Sequence, residues 1–252
     1  VNSGGQSTSR WGIKGTEDLG GGLSAIFQLE GQINYDVGEG AGSGALNFKR
    51  RGYVGLKGGF GQVTLGRDYT PMFWTTIDND QGGMAHSIAA FLLGFSTRTS
   101  NGVNYKGDFG ALQVRGLWAA SEAAGVDDVL GASVGYDGGA WGVNAAYHDE
   151  SGNKISHVGA EVKFGGLGLG VNFVDPDNAD DPSIGLSATL GVGASGNILF
   201  NYVDRDRAGV AGESLFQLMY RHTLSKRTNW YAGFLDFDAG GTELRAGIRH
   251  RF

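Results

Sequence analysis

Alternation of apolar and polar residues with period two, repeated run after run along 252 residues, is what most limits how this chain can fold. Alternation and turn residues together mark fifteen strand-like runs, near 8–15, 22–34, 48–58, 61–69, 98–107, 110–119, 127–137, 140–148, 155–164, 167–175, 183–191, 196–204, 213–223, 228–237 and 242–252. Successive side chains on a strand point to opposite faces, so Val158, Ala160, Val162 and Phe164 share one face, as do Leu167, Leu169, Val171 and Phe173. The second faces carry Gly, Asn, Ser, His, Glu and Lys. Aromatic residues close the apolar face at strand ends (Trp118, Tyr136, Tyr147, Phe164, Phe173, Tyr202), the placement expected of interfacial girdles. A soluble sandwich would also alternate, but so many runs with polar second faces and short glycine turns favour a closed wall, apolar outside and polar inside.

The connections alternate as well. Short turns at 58–61, 107–110, 138–139 and 165–168 are interleaved with longer or acidic ones at 35–47, 70–97, 119–126, 149–154, 175–182 and 204–212, the asymmetry of an outer-membrane barrel. One segment, Pro71 to Thr97, does not read as a strand and holds Met72, Phe73, Trp74, Phe91, Leu92, Leu93 and Phe95 beside Asp78 and Asp80. A stretch so long and so apolar is expected to fold into the interior and narrow it. Single-chain barrels of this kind have even strand numbers. One N-terminal strand is therefore expected to be absent, with residues 1–7 a remnant of the first external loop. Val1 in place of an initiator Met reads as a mature or trimmed form.

Composition excludes several classes. With no Cys there is neither a disulfide framework nor a thiolate metal site. No run approaches the roughly 18 apolar residues of a membrane helix, whereas a mean hydropathy of -0.18 suits strands with one apolar face. A net charge of -6 argues against a nucleic-acid partner. No Pro- or Ser-rich linker divides the chain, so residues 1–252 read as one all-β domain, a transmembrane antiparallel β-barrel.

Four stretches carry a resemblance: Ser7 to Leu23 (STSRWGIKGTEDLGGGL), Tyr53 to Arg67 (YVGLKGGFGQVTLGR), Leu224 to Ala232 (LSKRTNWYA) and the ending Gly247 to Phe252 (GIRHRF). In this order they resemble the Gram-negative general diffusion porins, especially those of β-proteobacteria. The resemblance implies a sixteen-stranded, trimeric outer-membrane porin without cofactor, its third external loop, here 70–97, folded into the lumen. The missing first strand and the short outer loops depart from the family. Phe252, on one face with Leu244, Ala246, Ile248 and His250, is similar to the terminal signal by which such barrels reach the assembly machinery; outer-membrane lipid and lipopolysaccharide are the implied surroundings.

Parity places charges in the lumen. Trp11 and Ile13 are outward, so Arg10 and Lys14 face inward; Val103 and Tyr105 are outward, so Arg98 and Ser100 face inward; Arg115, Arg245, Arg249 and Arg251 are possible lumen residues by the same rule. Alternation cannot say which of Arg50 and Arg51 is inside. By resemblance Arg10, Arg50 and Arg98 match the basic wall of a porin constriction, and Asp78 and Asp80 the acids of the inserted loop. Separated cations and anions would set a transverse field that passes hydrated ions. An excess of wall cations suggests mild anion preference.

Other chemistry has little support. Asp175, Asp177, Asp180 and Asp181 are close together but lack the Gly and distal Glu of an EF-hand, and Pro176 and Pro182 suggest a surface turn. His148 and His157 lie on neighbouring strands without a third ligand. No nucleophile motif and no phosphate-binding loop stands out. The expected function is passive diffusion of small hydrophilic solutes and ions; a substrate-specific channel or a non-conducting adhesin or binding module are the alternatives.

Overall fold

The computed structural model describes residues 2–40, 44–45, 47–83, 96–121, 126–177, 182–207, 210–238 and 240–252. Its strands are β1 (Arg10–Gly20), β2 (Leu23–Asn34), the two-residue β3 (Glu39–Gly40), β4 (Arg51–Gly58), β5 (Gly61–Tyr69), β6 (Arg98–Phe109), β7 (Leu112–Ala119), β8 (Val129–Asp137) and β9 (Trp141–Glu150). They continue as β10 (Asn153–Phe164), β11 (Leu167–Pro176), β12 (Ser183–Val192), β13 (Gly196–Arg207), β14 (Val210–Thr223), β15 (Thr228–Phe237) and β16 (Gly241–His250), with one helix, α1 (Pro71–Asp78). All long strands lie in one antiparallel sheet in sequence order, and β3 pairs with β2 alone. No helix among the described residues is long and apolar enough to cross a membrane.

The wall encloses α1. The helix packs against β7 to β10, and Arg51 of β4 lies 5.7 Å from the ring of Trp74 on its other flank. The sheet's two ends, β1 and β16, form no ladder with each other among the described residues. Residues 3–7, expected as an external remnant, lie near this seam: Ser3 Oγ donates to the Ile33 carbonyl of β2 at 3.2 Å, and Arg245 Nη1 of β16 donates to the Gly5 carbonyl at 3.4 Å. Gln6 between them is buried.

Outward faces follow the sequence pattern. Val134, Val143, Val158, Leu169 and Leu186 are exposed apolar residues on successive strands, a belt suited to lipid. The inner face is less uniformly polar than alternation suggests. Ala146, Ile155, Val174, Val203, Leu215 and Leu235 are buried inward and cluster with Met72, and Phe73 and Ile77 of α1 pack against the cluster. An arm carrying apolar side chains needs an apolar bed inside the wall. On β13 both faces are therefore apolar, Phe200 and Tyr202 outward and Leu199 and Val203 inward.

One parity assignment changes, and of the strand ends that differ from the sequence runs the end of β1 moves furthest. Asn101 takes a positive φ of 56° and the β5–β6 register shifts between Gly66 and Asp68. Ser100, expected inward, consequently turns away from the lumen and accepts from Arg67 Nη1 at 2.8 Å. The first strand continues to Gly20 rather than ending at 15, Glu17 pairing with Ala25 and Asp18 with Ser24.

If the outward face of β10 meets hydrocarbon, Val158→Arg at mid-strand will destabilise the barrel by about 2–4 kcal/mol in urea unfolding from bilayers, while Gln113→Arg on the inner face of β7 will cost under about 1 kcal/mol. Equal losses would contradict the assigned faces.

Candidate functional site

The inserted arm begins with a well-made helix start. Thr70 caps α1 by accepting from Phe73 N–H at 3.2 Å, and Pro71 occupies the first turn, where no amide is missed. The Thr70 amide is itself held by the Thr97 carbonyl at 3.2 Å, so both ends of the 70–97 segment leave the wall together.

Asn79, fully buried just past the helix, latches the arm to the far wall. Its Nδ2 donates to Asn144 Oδ1 of β9 at 3.0 Å and Asn172 Oδ1 of β11 at 2.9 Å. Ser187 Oγ of β12 donates to its carbonyl at 2.9 Å and accepts from Gln81 N–H at 3.0 Å. Room for this contact comes from two glycines: a Cβ at Gly159 would collide with the Asn79 side chain, and one at Gly170 with its carbonyl. His157 joins the network, its Nε2 2.8 Å from Asn172 Oδ1. Because that oxygen accepts, Nε2 carries the proton. His148 and His157 are both buried below α1.

Opposite the latch, arginines converge on one phenol and one carboxylate. Arg50 Nε donates to Glu30 Oε1 at 2.7 Å; Arg50 Nη2 and Arg98 Nη2 each donate to Tyr69 Oη at 2.6 Å. The Arg98 guanidinium also lies over the Tyr69 ring, 4.1 Å from its centroid. Arg10 stands 4.0 Å from Glu30 Oε1 and donates to Ser7 Oγ at 2.7 Å. Tyr69 in turn stacks on Phe73 of α1 at 4.4 Å, so Arg50 and Arg98 meet the arm through that side chain. Both adjacent arginines enter the lumen. Arg51 begins β4 and grips Asp68 with two bonds, 2.7 and 2.9 Å, while Arg50 precedes the ladder and turns to Glu30.

The loop acids do not stand free across the gap. Asp78 Oδ2 accepts from Arg115 Nη1 at 3.0 Å, and Arg115 lies over Trp74 at 5.7 Å. Asp80 accepts from Gly83 N–H at 2.9 Å, and the Asn201 amide of β13, oriented with its nitrogen toward the acid, donates to it at 3.2 Å. Arg115 thus meets the arm, and the predicted transverse separation of charge is partly collapsed into contact pairs. Lys14, opposite Gln28 in the register, is exposed and makes no ion pair among the described residues. Arg245 is paired with Glu243 Oε2 at 2.5 Å. Phe252 is fully exposed beyond the last ladder pair, its ring 4.7 Å from His250. Asp175 and Asp177 are exposed, and Asp180 and Asp181 lie outside the described residues, as do Phe91, Leu92, Leu93 and Phe95.

Sequence reasoning missed Glu30, Asp68 and Tyr69. Each falls on or beside an inward position, the only signal available. A recess of about 160 Å³ remains between the wall and α1, lined by Arg51, Tyr53, Asp68, Tyr69, Trp74 and Arg115 among others.

A wall of this topology, with an arm latched inside against a basic face, has a matching family description: the model of the Gram-negative porin family matches residues 1–242. The chain belongs to that family. Outer membrane porin protein 32 of Delftia acidovorans is 31% identical, over all of this chain and 87% of its own length. An outer membrane porin protein of Bordetella pertussis is 30% identical over 98% of this chain and 83% of its own. A solved structure described as an anion-selective porin from Comamonas acidovorans superposes with a TM-score of 0.78 at 28% identity, covering 99% of this chain and 91% of that one. This porin is accordingly an outer-membrane channel protein of Gram-negative type, and its strands are the membrane-crossing elements.

Two outcomes follow. Asn79→Ala in this porin leaves Asn144 and Asn172 each short of a partner, at about 1–3 kcal/mol for the buried groups; single-channel recordings will show a noisier, larger conductance, and an unchanged trace would mean the latch does not hold the arm. The Asp78 carboxyl is pushed up by burial, against the downward pull of Arg115. It therefore neutralises at higher pH than an ordinary carboxyl, which titrates at about 4, and frees the Arg115 charge. The anion-to-cation permeability ratio will rise as pH falls toward that range, before ordinary carboxylates titrate. Asp78→Asn will show the raised ratio already at neutral pH and lack the step.

Proposed function

We propose that this porin passes small hydrophilic solutes passively and favours anions at its narrowest point. The observation that carries the reading is that Arg10 and Arg50 meet one carboxylate, Glu30, with the Arg98 guanidinium beside them on Tyr69 Oη. Among the described residues, the hydrogen-bond acceptors of Arg98 are neutral, Tyr69 Oη and Thr97 Oγ1. Two positive charges are thus in excess there, whereas Arg51 with Asp68 and Arg115 with Asp78 are balanced locally. A low-dielectric wall around a narrow aqueous path strengthens such an excess.

In this reading residues 1–252 act as one barrel domain, three copies assemble side by side in the outer membrane, and Phe252 addresses the chain to the assembly machinery. The chain works as a channel and not as an enzyme. Lys14 adds a mobile positive charge along the same wall. The name given to the Comamonas porin, anion-selective, agrees in sign.

Reversal potentials in planar bilayers under a potassium chloride gradient test it. Arg10→Ser and Arg98→Ser are each expected to shift the permeability ratio toward cations by about two- to fourfold, as one charge a few ångströms from the path does in a watery, screened throat. An unchanged ratio in both would sink the basic-throat reading.

A further inference from the structure

The throat arginines have nearby partners, but the same lumen wall carries a second basic group of a different kind. Leu244 and Ile248, 85% and 72% exposed, fix the outer face of β16, so Arg249 and Arg251 look inward. Buried Gln217 and Met219 put Arg221 of β14 on the inner face too. The register joins them. Arg221 stands opposite Tyr231 of β15, and Arg249 opposite Asn229, two residues along the same face. Arg251 follows at the end of β16, its amide bonded to the Arg227 carbonyl at 2.9 Å.

Of the described residues, the charged groups that act on Arg249 are Arg251, Arg10 and Arg221, all cations. Among the described residues, none of Arg221, Arg249 and Arg251 makes an ion pair with a carboxylate. The contrast lies next door, where Arg245 is held by Glu243 and the Gly5 carbonyl. Like charges gathered on a half-buried wall repel one another, and an anion that bridges them relieves the repulsion. Guanidinium forks fit the oxygens of a tetrahedral oxyanion, and a divalent one engages several at once.

We propose that Arg221, Arg249 and Arg251 form a second anion station, selective for phosphate-type oxyanions, between the throat and the short-turn mouth of the barrel. It rests on the porin reading above and extends it. Arg10 links the two levels, being within reach of Arg50 and Arg98 at the throat and of Arg249 below it. An anion leaving the throat therefore meets a continuous line of guanidiniums rather than open water. The throat sets the sign of selectivity, and the second station distinguishes oxyanion from chloride.

The test is block of chloride current through the reconstituted porin by inorganic phosphate. Wild-type channels should show saturable block. Arg221→Gln/Arg249→Gln should raise the half-blocking concentration by about tenfold, the loss of two charge-assisted contacts, and should move it more than the reversal potential; Arg50→Gln should do the reverse. Arg249→Lys should restore part of the block. Arg251→Gln, lying outside the ladder, gives the same direction of change without touching the barrel, should the double variant lose its heat-modifiable mobility on gels. An anion-selective wild type whose phosphate block is absent, or is the same in the variants, overturns the second station alone. A wild type without anion preference overturns the throat reading instead.

Discussion

A single buried amide holds the interior of this barrel in place. Asn79 has no exposed surface, and its bonds reach β9, β11 and β12 at once. A buried polar group of this kind is expensive to leave unsatisfied, so the arm has one good seat and few near alternatives. The position of α1 then fixes Phe73, through it Tyr69, and through Tyr69 the two arginines that donate to its oxygen. Polar latch, aromatic stack and basic wall form one connected chain of contacts across the lumen.

That connection explains why the throat is less polarised than a simple picture of opposed charges would have it. Asp78 and Arg115 meet at 3.0 Å, and Arg51 and Asp68 at 2.7 Å, so much of the local field is short-ranged. In the proposed reading, what extends into the aqueous path is the surplus around Glu30. The loop acids bond the arm to the wall, Asp78 to Arg115 of β7 and Asp80 to Asn201 of β13.

Most of the wall is legible in alternation, since a half-buried strand writes its period directly into the sequence. The runs at 61–69 and 228–237 end where β5 and β15 end. The first run stops short at 15 because Glu17 and Asp18 interrupt the apolar pattern, although the ladder continues beneath them. Alternation also locates Arg10 and Arg98 but says nothing of whom they meet. Glu30 lies 20 residues from Arg50, and Asn79 lies 93 from Asn172. The first meeting depends on the pairing of β2 with β4 and the second on the folding of the arm across the lumen, and no local pattern encodes either. The apolar bed under α1 is hidden for a related reason: on β13, where both faces are apolar, period two carries no sign of which residues line the lumen.

Gly159 and Gly170 suggest a way to compare this wall with others. They are small because the arm rests on them, so the pair forms an imprint of the arm on the strands it touches. In a diverging lineage the imprint and the arm must change together. A homologous wall with bulky residues at those two places belongs to a channel whose constriction is seated elsewhere, and the location of a narrowing could be inferred from the wall even where the arm itself has drifted beyond recognition.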